Sequence, residues 1–407
     1  MTVLKATGIV VEYNPFHNGH LHHVKEAKRT TGADVIIAIM SGNFLQRGEP
    51  ALVDKWTRTR MAIHHGVDLI FELPYAFATA NAPVFAKGAI ELLDALCCDA
   101  FCFGSENGQV APFENSLRLI EETSERYEQS IKEAVQNGMS YPKALNEAYH
   151  TILNAANVEA QTVVDLKLPN NILGFHYMQA AQTINTKMSA ATIPRKTAQY
   201  HDTPIVGNRI ASATGIRKVL FESEQLDEVT DFLPQKTVEM LFNWQSEGKS
   251  FGSWDAFYPL LRYTILRSKP EQLAQIADVT EGIENRIYRA AIRHETFESF
   301  MNEVKSKRYT WTRIQRMLTH IFTGFTYSMR KNSEKPAYLR LLGMTPKGRS
   351  YLNETKKELK LPIISRAAAF SDPSFTFDTQ AADLYMLGIG EANKVGMDYQ
   401  MHPVILQ

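Results

Sequence analysis

His17 and His20 stand three residues apart, separated by Asn18-Gly19, directly behind the chain breaker Asn14-Pro15. At that spacing two imidazoles rise from the same side of a helix start. As donors they stabilise the charge that builds on an α-phosphate during in-line displacement. Gly19 lets a phosphate approach the main chain with no Cβ in the way, and Asn18 is expected to cap the helix. A second group of the same character is Ser212, Thr214 and Arg217, where two hydroxyls precede a guanidinium able to clamp two phosphate oxygens. A P-loop, G-x-x-x-x-G-K-[ST], is absent, so phosphate binding falls to these two groups. His22 and His23 follow directly, but a histidine cluster without a carboxylate or cysteine partner makes a poor zinc site, and no metal is expected to be held by the protein. No Ser-His-Asp or Cys-His pattern calls for a covalent nucleophile.

The elements around these residues read as α/β. Apolar runs at Ala6 to Glu12, Asp34 to Met40, Asp68 to Leu73 and Ala100 to Gly104 alternate with helical stretches at Leu21 to Thr30, Trp56 to His65 and Asn81 to Leu96. Continuous apolar strands between amphipathic helices predict a parallel, Rossmann-like sheet covered on both faces, with ligands beyond the carboxyl ends of its strands. His17 then lies at the end of the first strand and the start of the first helix, where unpaired N–H groups meet anions. Residues 110–160 read as a helical insertion, Lys187 to Pro194 as a further strand and Thr214 to Phe221 as a helix. Past residue 222 the strand signal fades. Amphipathic segments at Thr237 to Ser246, Glu281 to Ala291 and Trp311 to Phe322 predict a mainly helical domain over 223–342, and 343–407 reads as a mixed α/β region. Lys187-Met-Ser189 imitates the opening of a K-M-S-K-S loop, but Ala190-Ala191 follow and the segment reads as strand.

Composition narrows the class without naming it. The 407 residues hold 44 basic and 44 acidic side chains, so overall charge selects no partner. Cys97, Cys98 and Cys102 are too few and too close for a disulfide framework, which fits buried thiols in a reducing compartment. Neither a signal peptide nor an apolar run of membrane-spanning length occurs, so a cytoplasmic protein with no membrane partner is expected.

The block Val11-Glu-Tyr-Asn-Pro-Phe-His-Asn-Gly-His20 resembles the H-x-G-H signature of nucleotidyltransferases and class I aminoacyl-tRNA synthetases. With Ser41-Gly-Asn-Phe-Leu-Gln-Arg-Gly-Glu-Pro50, Asp54-Lys-Trp-Thr-Arg58, Phe71-Glu-Leu-Pro74, Phe103-Gly-Ser-Glu106, Pro169-Asn-Asn-Ile-Leu-Gly174 and Tyr200-His-Asp202, it is similar to the tRNA(Met) cytidine acetate ligase family. Ser212 to Arg217 resembles the superfamily string I-S-S-T-x-I-R, with Ala211 and Ala213 in the Ile and second Ser places. The resemblance implies that acetate attacks the α-phosphate of ATP, with Mg²⁺ a possible companion. Acetyl-adenylate then acylates N4 of the wobble cytidine of elongator tRNA(Met), giving N4-acetylcytidine. It further implies an ATP cradle of Ile9, Val10, Val11, Glu12, Tyr13, Asn14, Pro15, Phe16, His17, Asn18, Gly19, His20 and Leu21, with the two histidines catalytic. Gly104, Asn170, Asn171, Arg195, Ser212, Thr214 and Arg217 complete the nucleotide site.

A tRNA substrate should leave a basic footprint. Fifteen Lys and Arg against three Glu lie between Lys305 and Arg366, with Tyr309, Trp311, Phe322, Phe325 and Tyr327 interleaved where they could stack on unpaired bases. Arg308, Arg313, Arg316, Arg330 and Lys331 are the candidate tRNA contacts there, and Lys55, Arg58 and Arg60 those nearer the histidines. The rival expectation is an adenylyltransferase acting on a small phosphate ester, which needs no basic second half. A non-catalytic RNA-binding protein with structural ATP would not need both histidines.

Overall fold

The computed structural model describes residues 4–139, 141–156, 158–194, 210–223 and 225–406. Strands β1 (Ala6–Val11), β2 (Val35–Ser41), β3 (Leu69–Leu73), β4 (Ala100–Ser105) and β5 (Ser189–Pro194) lie parallel in the order β5-β4-β1-β2-β3. The first three strands run outward from β1 on one side, and β4 and β5 on the other. The direction of winding therefore reverses between β1 and β4, and a ligand crevice opens at their carboxyl ends. Every residue of β2 and β3 is buried, as strands covered on both faces require. The covering helices are α1 (Asn18–Thr31), α2 (Lys55–His64), α3 (Tyr75–Ala78) and α4 (Ala82–Ala95). The expected insertion is three helices, α5 (Ala111–Glu122), α6 (Ser124–Gln136) and α7 (Tyr141–Ala156), followed by α8 (Pro169–Thr183) and, after β5, α9 (Ala213–Ser223).

The helical part contains α10 (Gln235–Ser246), α11 (Trp254–Arg267), α12 (Pro270–Leu273), α13 (Ile283–Arg293), α14 (Phe297–Val304), α15 (Trp311–Thr323) and α16 (Tyr327–Asn332). The chain then returns to the sheet. Strand β6 (Leu339–Met344) pairs antiparallel with β3, with a register shift at Ile70/Phe71, and carries β7 (Ile363–Ile364) and β8 (Val404–Ile405). Helices α17 (Pro346–Thr355), α18 (Pro373–Gly388) and α19 (Met397–Gln400) pack beside them. One apolar core runs from Ile9 and Ile37 in the sheet to Phe257, Ile314 and Phe322 in the helical part.

The segment joining β2 to α2 ties these halves together. The carbonyl of Gly48 accepts both the Trp254 indole N–H from α11 (3.0 Å) and the Thr319 hydroxyl from α15 (2.9 Å). Gly48 has φ +74°, and a Cβ there would fall 2.3 Å from the main-chain nitrogen of Arg316, so only glycine admits this approach. Cys98 and Cys102 are buried and Cys97 half-buried, all as free thiols. Among the described residues no helix is long and apolar enough to cross a membrane.

Candidate active site

At the end of β1 the chain leaves the sheet through Tyr13, whose φ of +53° is unusual for a bulky side chain. Its fully buried ring holds that conformation by packing on Phe16 (4.6 Å between centroids) and edge-on to His20 (5.0 Å). The main chain is fixed from outside as well. Asn14 accepts the Leu52 N–H on Oδ1 (2.6 Å), and its carbonyl accepts Arg217 Nη1 (2.9 Å).

Helix α1 is capped by His17 itself, where Asn18 was expected. Nδ1 of a histidine stands as many bonds from Cα as Oδ1 of an asparagine, so it can do the same work. His17 Nδ1 accepts the Gly19 N–H (3.0 Å), while His20 Nδ1 accepts the His17 N–H (3.2 Å), a reciprocal capping box built from two imidazoles. Asn18 instead donates from Nδ2 to the Asp231 carbonyl (3.0 Å). The rings stack with centroids 3.7 Å apart. Because both Nδ1 atoms accept main-chain N–H groups, each neutral ring carries its proton on Nε2, inferred from the bonding pattern. A Cβ on Gly19 would lie 2.7 Å from Cε1 of His17, so glycine is what lets the first imidazole fold back over the helix end.

Both histidines line a cleft of about 1170 Å³ that runs from the carboxyl end of β1 to α15. Of the expected nucleotide residues, Val10, Val11, Glu12, Tyr13, Asn14, His17, His20, Asn170, Ser212, Thr214 and Arg217 line it. Ile9 and Phe16 are core, Pro15 is buried behind the turn, and Leu21 packs partly buried against the core. Gly104 lies off the lining, yet a Cβ there would meet nothing within 4 Å, so its backbone is open to a flat ligand. Asn170 and Asn171 form the first turn of α8. Asn170 bonds Glu106 Oε1 (3.0 Å), whereas Asn171 is buried and holds the Asp165 carbonyl (3.1 Å), a structural task. Arg195 lies outside the described residues. Ser212 caps α9 by accepting the Gly215 N–H (3.1 Å), and Arg217 pairs with Glu49 (2.9 Å).

The basic candidates divide. Lys55 and Arg58 are fully buried, which corrects their expected exposure to RNA. Arg58 spends its guanidinium on the carbonyls of Glu12 (2.7 Å), Ser41 (3.0 Å), Gly42 and Val53, pinning the ends of β1 and β2. Lys55 is paired with Glu72 and Asp398. Arg60 is half-buried and donates to Thr57 Oγ1 (2.9 Å). In the helical part, Arg308, Arg313 and Arg316 reach the far end of the cleft, with Asp278 and Glu281 beside them. Arg330 pairs with Asp278 (2.5 Å), and Lys331 is exposed away from the lining. Tyr309, Phe322 and Phe325, expected as stacking platforms, are buried core, as is Arg340 among the counted cations. The helical amphipathicity that suggested interleaving is the inward face of α15 and its neighbours.

Sequence reasoning did not single out Gln46, Glu49, His23 or Tyr177 as lining residues. Burial, with His22 nearby, lowers the pKa of His23 to about 4, so that ring is neutral at pH 7. Among the described residues no group of three His, Cys, Asp or Glu side chains is gathered as a metal site.

Residues 4–398 match the HIGH nucleotidyl transferase family. The chain is 50% identical over 404 residues to the tRNA(Met) cytidine acetate ligase of Lysinibacillus sphaericus (strain C3-41), covering 98% of this chain and 100% of the relative. It is 43% identical over 405 residues to that of Bacillus subtilis (strain 168), covering 98% and 95%. The crystal structure of Thermotoga maritima TmcAL bound with alpha-thio ATP superposes with a TM-score of 0.90 at 32% identity, over 99% of this chain and 100% of that one. The apo form of the same protein gives 0.92.

Proposed function

Since the chain belongs to the HIGH nucleotidyl transferases and, within them, to the tRNA(Met) cytidine acetate ligase family, we propose that it acetylates N4 of the wobble cytidine of elongator tRNA(Met) using acetate and ATP. Acetate is a poor acyl donor. Attack of its oxygen on the α-phosphate releases pyrophosphate and makes AMP the leaving group, so no protein nucleophile is needed. The observation that carries this reading is the stacked pair His17 and His20, with both Nδ1 atoms accepting main-chain N–H groups and each ring proton therefore on Nε2. Such fixed donors stabilise the α-phosphate as its charge rises. Ser212, Thr214 and Arg217 line the same cleft and suit the β- and γ-phosphates. Mg²⁺ would enter with the triphosphate and be held by its oxygens. The basic side chains at the far end of the cleft suit the RNA backbone.

The test is incubation of the protein with ATP, isotope-labelled acetate and total tRNA, then nucleoside digestion and mass analysis. Label is expected in N4-acetylcytidine, and only when ATP is present. Unlabelled tRNA, together with AMP transfer to a small phosphate ester, would move the chain to the adenylyltransferase reading.

A further inference from the structure

The cleft is furnished for anions, yet a carboxylate stands in its wall beside the two histidines. Glu12 is the first residue beyond β1, and its side chain lines the cleft. It is held at two points. Its carbonyl accepts Arg58 Nη1 (2.7 Å), and Oε1 accepts the main-chain N–H of Gln46 (2.8 Å), whose side chain is fixed in turn on the Ala80 carbonyl (2.8 Å). Oε2 takes no hydrogen bond from the described residues. Charged and titratable groups face it from every neighbouring element. They are Arg47 and Glu49 after β2, Arg58 on α2, Tyr177 on α8 and Arg217 on α9. A carboxylate repels phosphate, so contact with the phosphates of ATP does not account for it. Accepting a proton does.

We propose that Glu12 is the base that takes the proton from the acceptor cytosine, and that by accepting this N–H it selects cytosine over uracil. The proposal rests on the acetyl-transfer reading above, and it moves Glu12 from the ATP cradle to the acceptor side. In the step, the N4 lone pair attacks the acetyl carbonyl carbon of acetyl-adenylate and the N–C bond forms. The bond from that carbon to the phosphate oxygen breaks, AMP leaves with the electron pair, and one N4 proton passes to Oε2 and then to solvent. The N4 lone pair is delocalised into the ring, so the nitrogen attacks well only as its proton departs. Uracil would bring O4 lone pairs against the carboxylate, acceptor against acceptor. Burial raises the pKa of Glu12 above its ordinary value, and the charge of Glu49 adds to this. The Gln46 N–H, Arg47 and Arg217 pull the other way without cancelling it. The result is a stronger base than a solvated glutamate.

The experiment gives wild type and Glu12→Gln synthetic acetyl-adenylate with unmodified tRNA in single turnover, and separately measures acetate-dependent pyrophosphate–ATP exchange. Transfer by E12Q is expected to slow about 10²–10⁴-fold, and exchange to fall by less than about tenfold, since the two half-reactions separate. Wild-type transfer should rise with pH through the Glu12 titration and then level, whereas E12Q should be flat. Glu12→Asp keeps a base, and should retain that pH dependence at an intermediate rate even where the amide variant folds poorly. Transfer by E12Q at the wild-type rate overturns the proposal, as does equal loss of exchange and transfer, which would return Glu12 to the ATP step. Wild type that acylates no tRNA from acetyl-adenylate would instead sink the ligase reading itself.

Discussion

The paired imidazoles of His17 and His20 form the helix cap and, on the proposed function, donate to the phosphate as well, so neither can be altered without disturbing the other. Replacing either by alanine removes one Nε2 donor and one half of the capping box. Loss of a single fixed transition-state donor costs about 10²–10³ in kcat, and both variants are expected to lose pyrophosphate–ATP exchange to at least that extent. Their tRNA affinity, read by filter binding, should stay near wild type. Folded variants that no longer bind tRNA would show that the histidines serve RNA and not the α-phosphate. This part of the site was legible because it is local: breaker, histidine, glycine and histidine lie within seven residues. Lys55 and Arg58 were misread for the opposite reason. Two cations close to the histidines in sequence read as contacts for the RNA, and their burial depends on main-chain carbonyls and on carboxylates far along the chain. Only the recurrence of both residues inside the matching block Asp54 to Arg58 hinted at more.

Among the elements, the strands were readable and their last partner was not. Continuous apolar runs located β1 to β4 within a residue or two, because strands buried on both faces permit little else. Strand β6 has the same buried character, but its seat beside β3 depends on a return of the chain that no local pattern encodes. Helix α15 shows the same limit, since its stripe of Ile314, Leu318 and Ile321 is core and not a platform. Within it His320 is fully buried. Arg330 Nη2, which can only donate, lies 2.9 Å from His320 Nε2, so Nδ1 holds the proton and donates to the Tyr75 hydroxyl (2.9 Å), which passes its own to Thr323 (2.8 Å). That order makes the neutral ring the native one, and burial lowers its pKa to about 4. Between that value and about 6.5 the unfolded chain binds the extra proton, so stability rises with pH there and falls on acidification. Melting temperature should therefore drop as the pH is lowered from about 6.5 to 4, and His320→Gln should flatten that slope while lowering the plateau. An unchanged slope in the variant would mean that other groups carry the acid sensitivity.

At the scale of the whole molecule, the catalytic sheet is completed by the other end of the chain. Lys55 on α2 is enclosed with Glu72 on β3 and Asp398 on α19, and Trp56 donates its indole N–H to Asp398 (3.0 Å). Burial alone would lower the pKa of the ammonium, but the two carboxylates outweigh it and hold that pKa above its ordinary value. Arg340 on β6 lies over the Trp56 ring (5.6 Å) and donates to the Asp398 carbonyl (3.3 Å). Lys55→Met fills the space but strands the carboxylates, and should cost about 3–5 kcal/mol in urea unfolding. Unchanged stability would mean that Arg340 alone suffices as their counter-ion. Asp378, close by, accepts the Tyr75 N–H (2.9 Å) and the Tyr338 hydroxyl, and burial with the charge of Glu72 pushes its pKa up to about 8. Around Trp56 the network brings together the basic side chains of Lys55 and Arg340 and the carboxylates of Glu72 and Asp398. Along the chain they come in two couples, Lys55 with Glu72 and then Arg340 with Asp398. The first couple is complete once β3 is reached, and the second only when α19 follows β6. A chain that stopped before Asp398 would keep Lys55 with Glu72 but leave the Trp56 indole and the Arg340 guanidinium without the acceptors that α19 supplies, so this short helix seals the edge that α2 and β6 share.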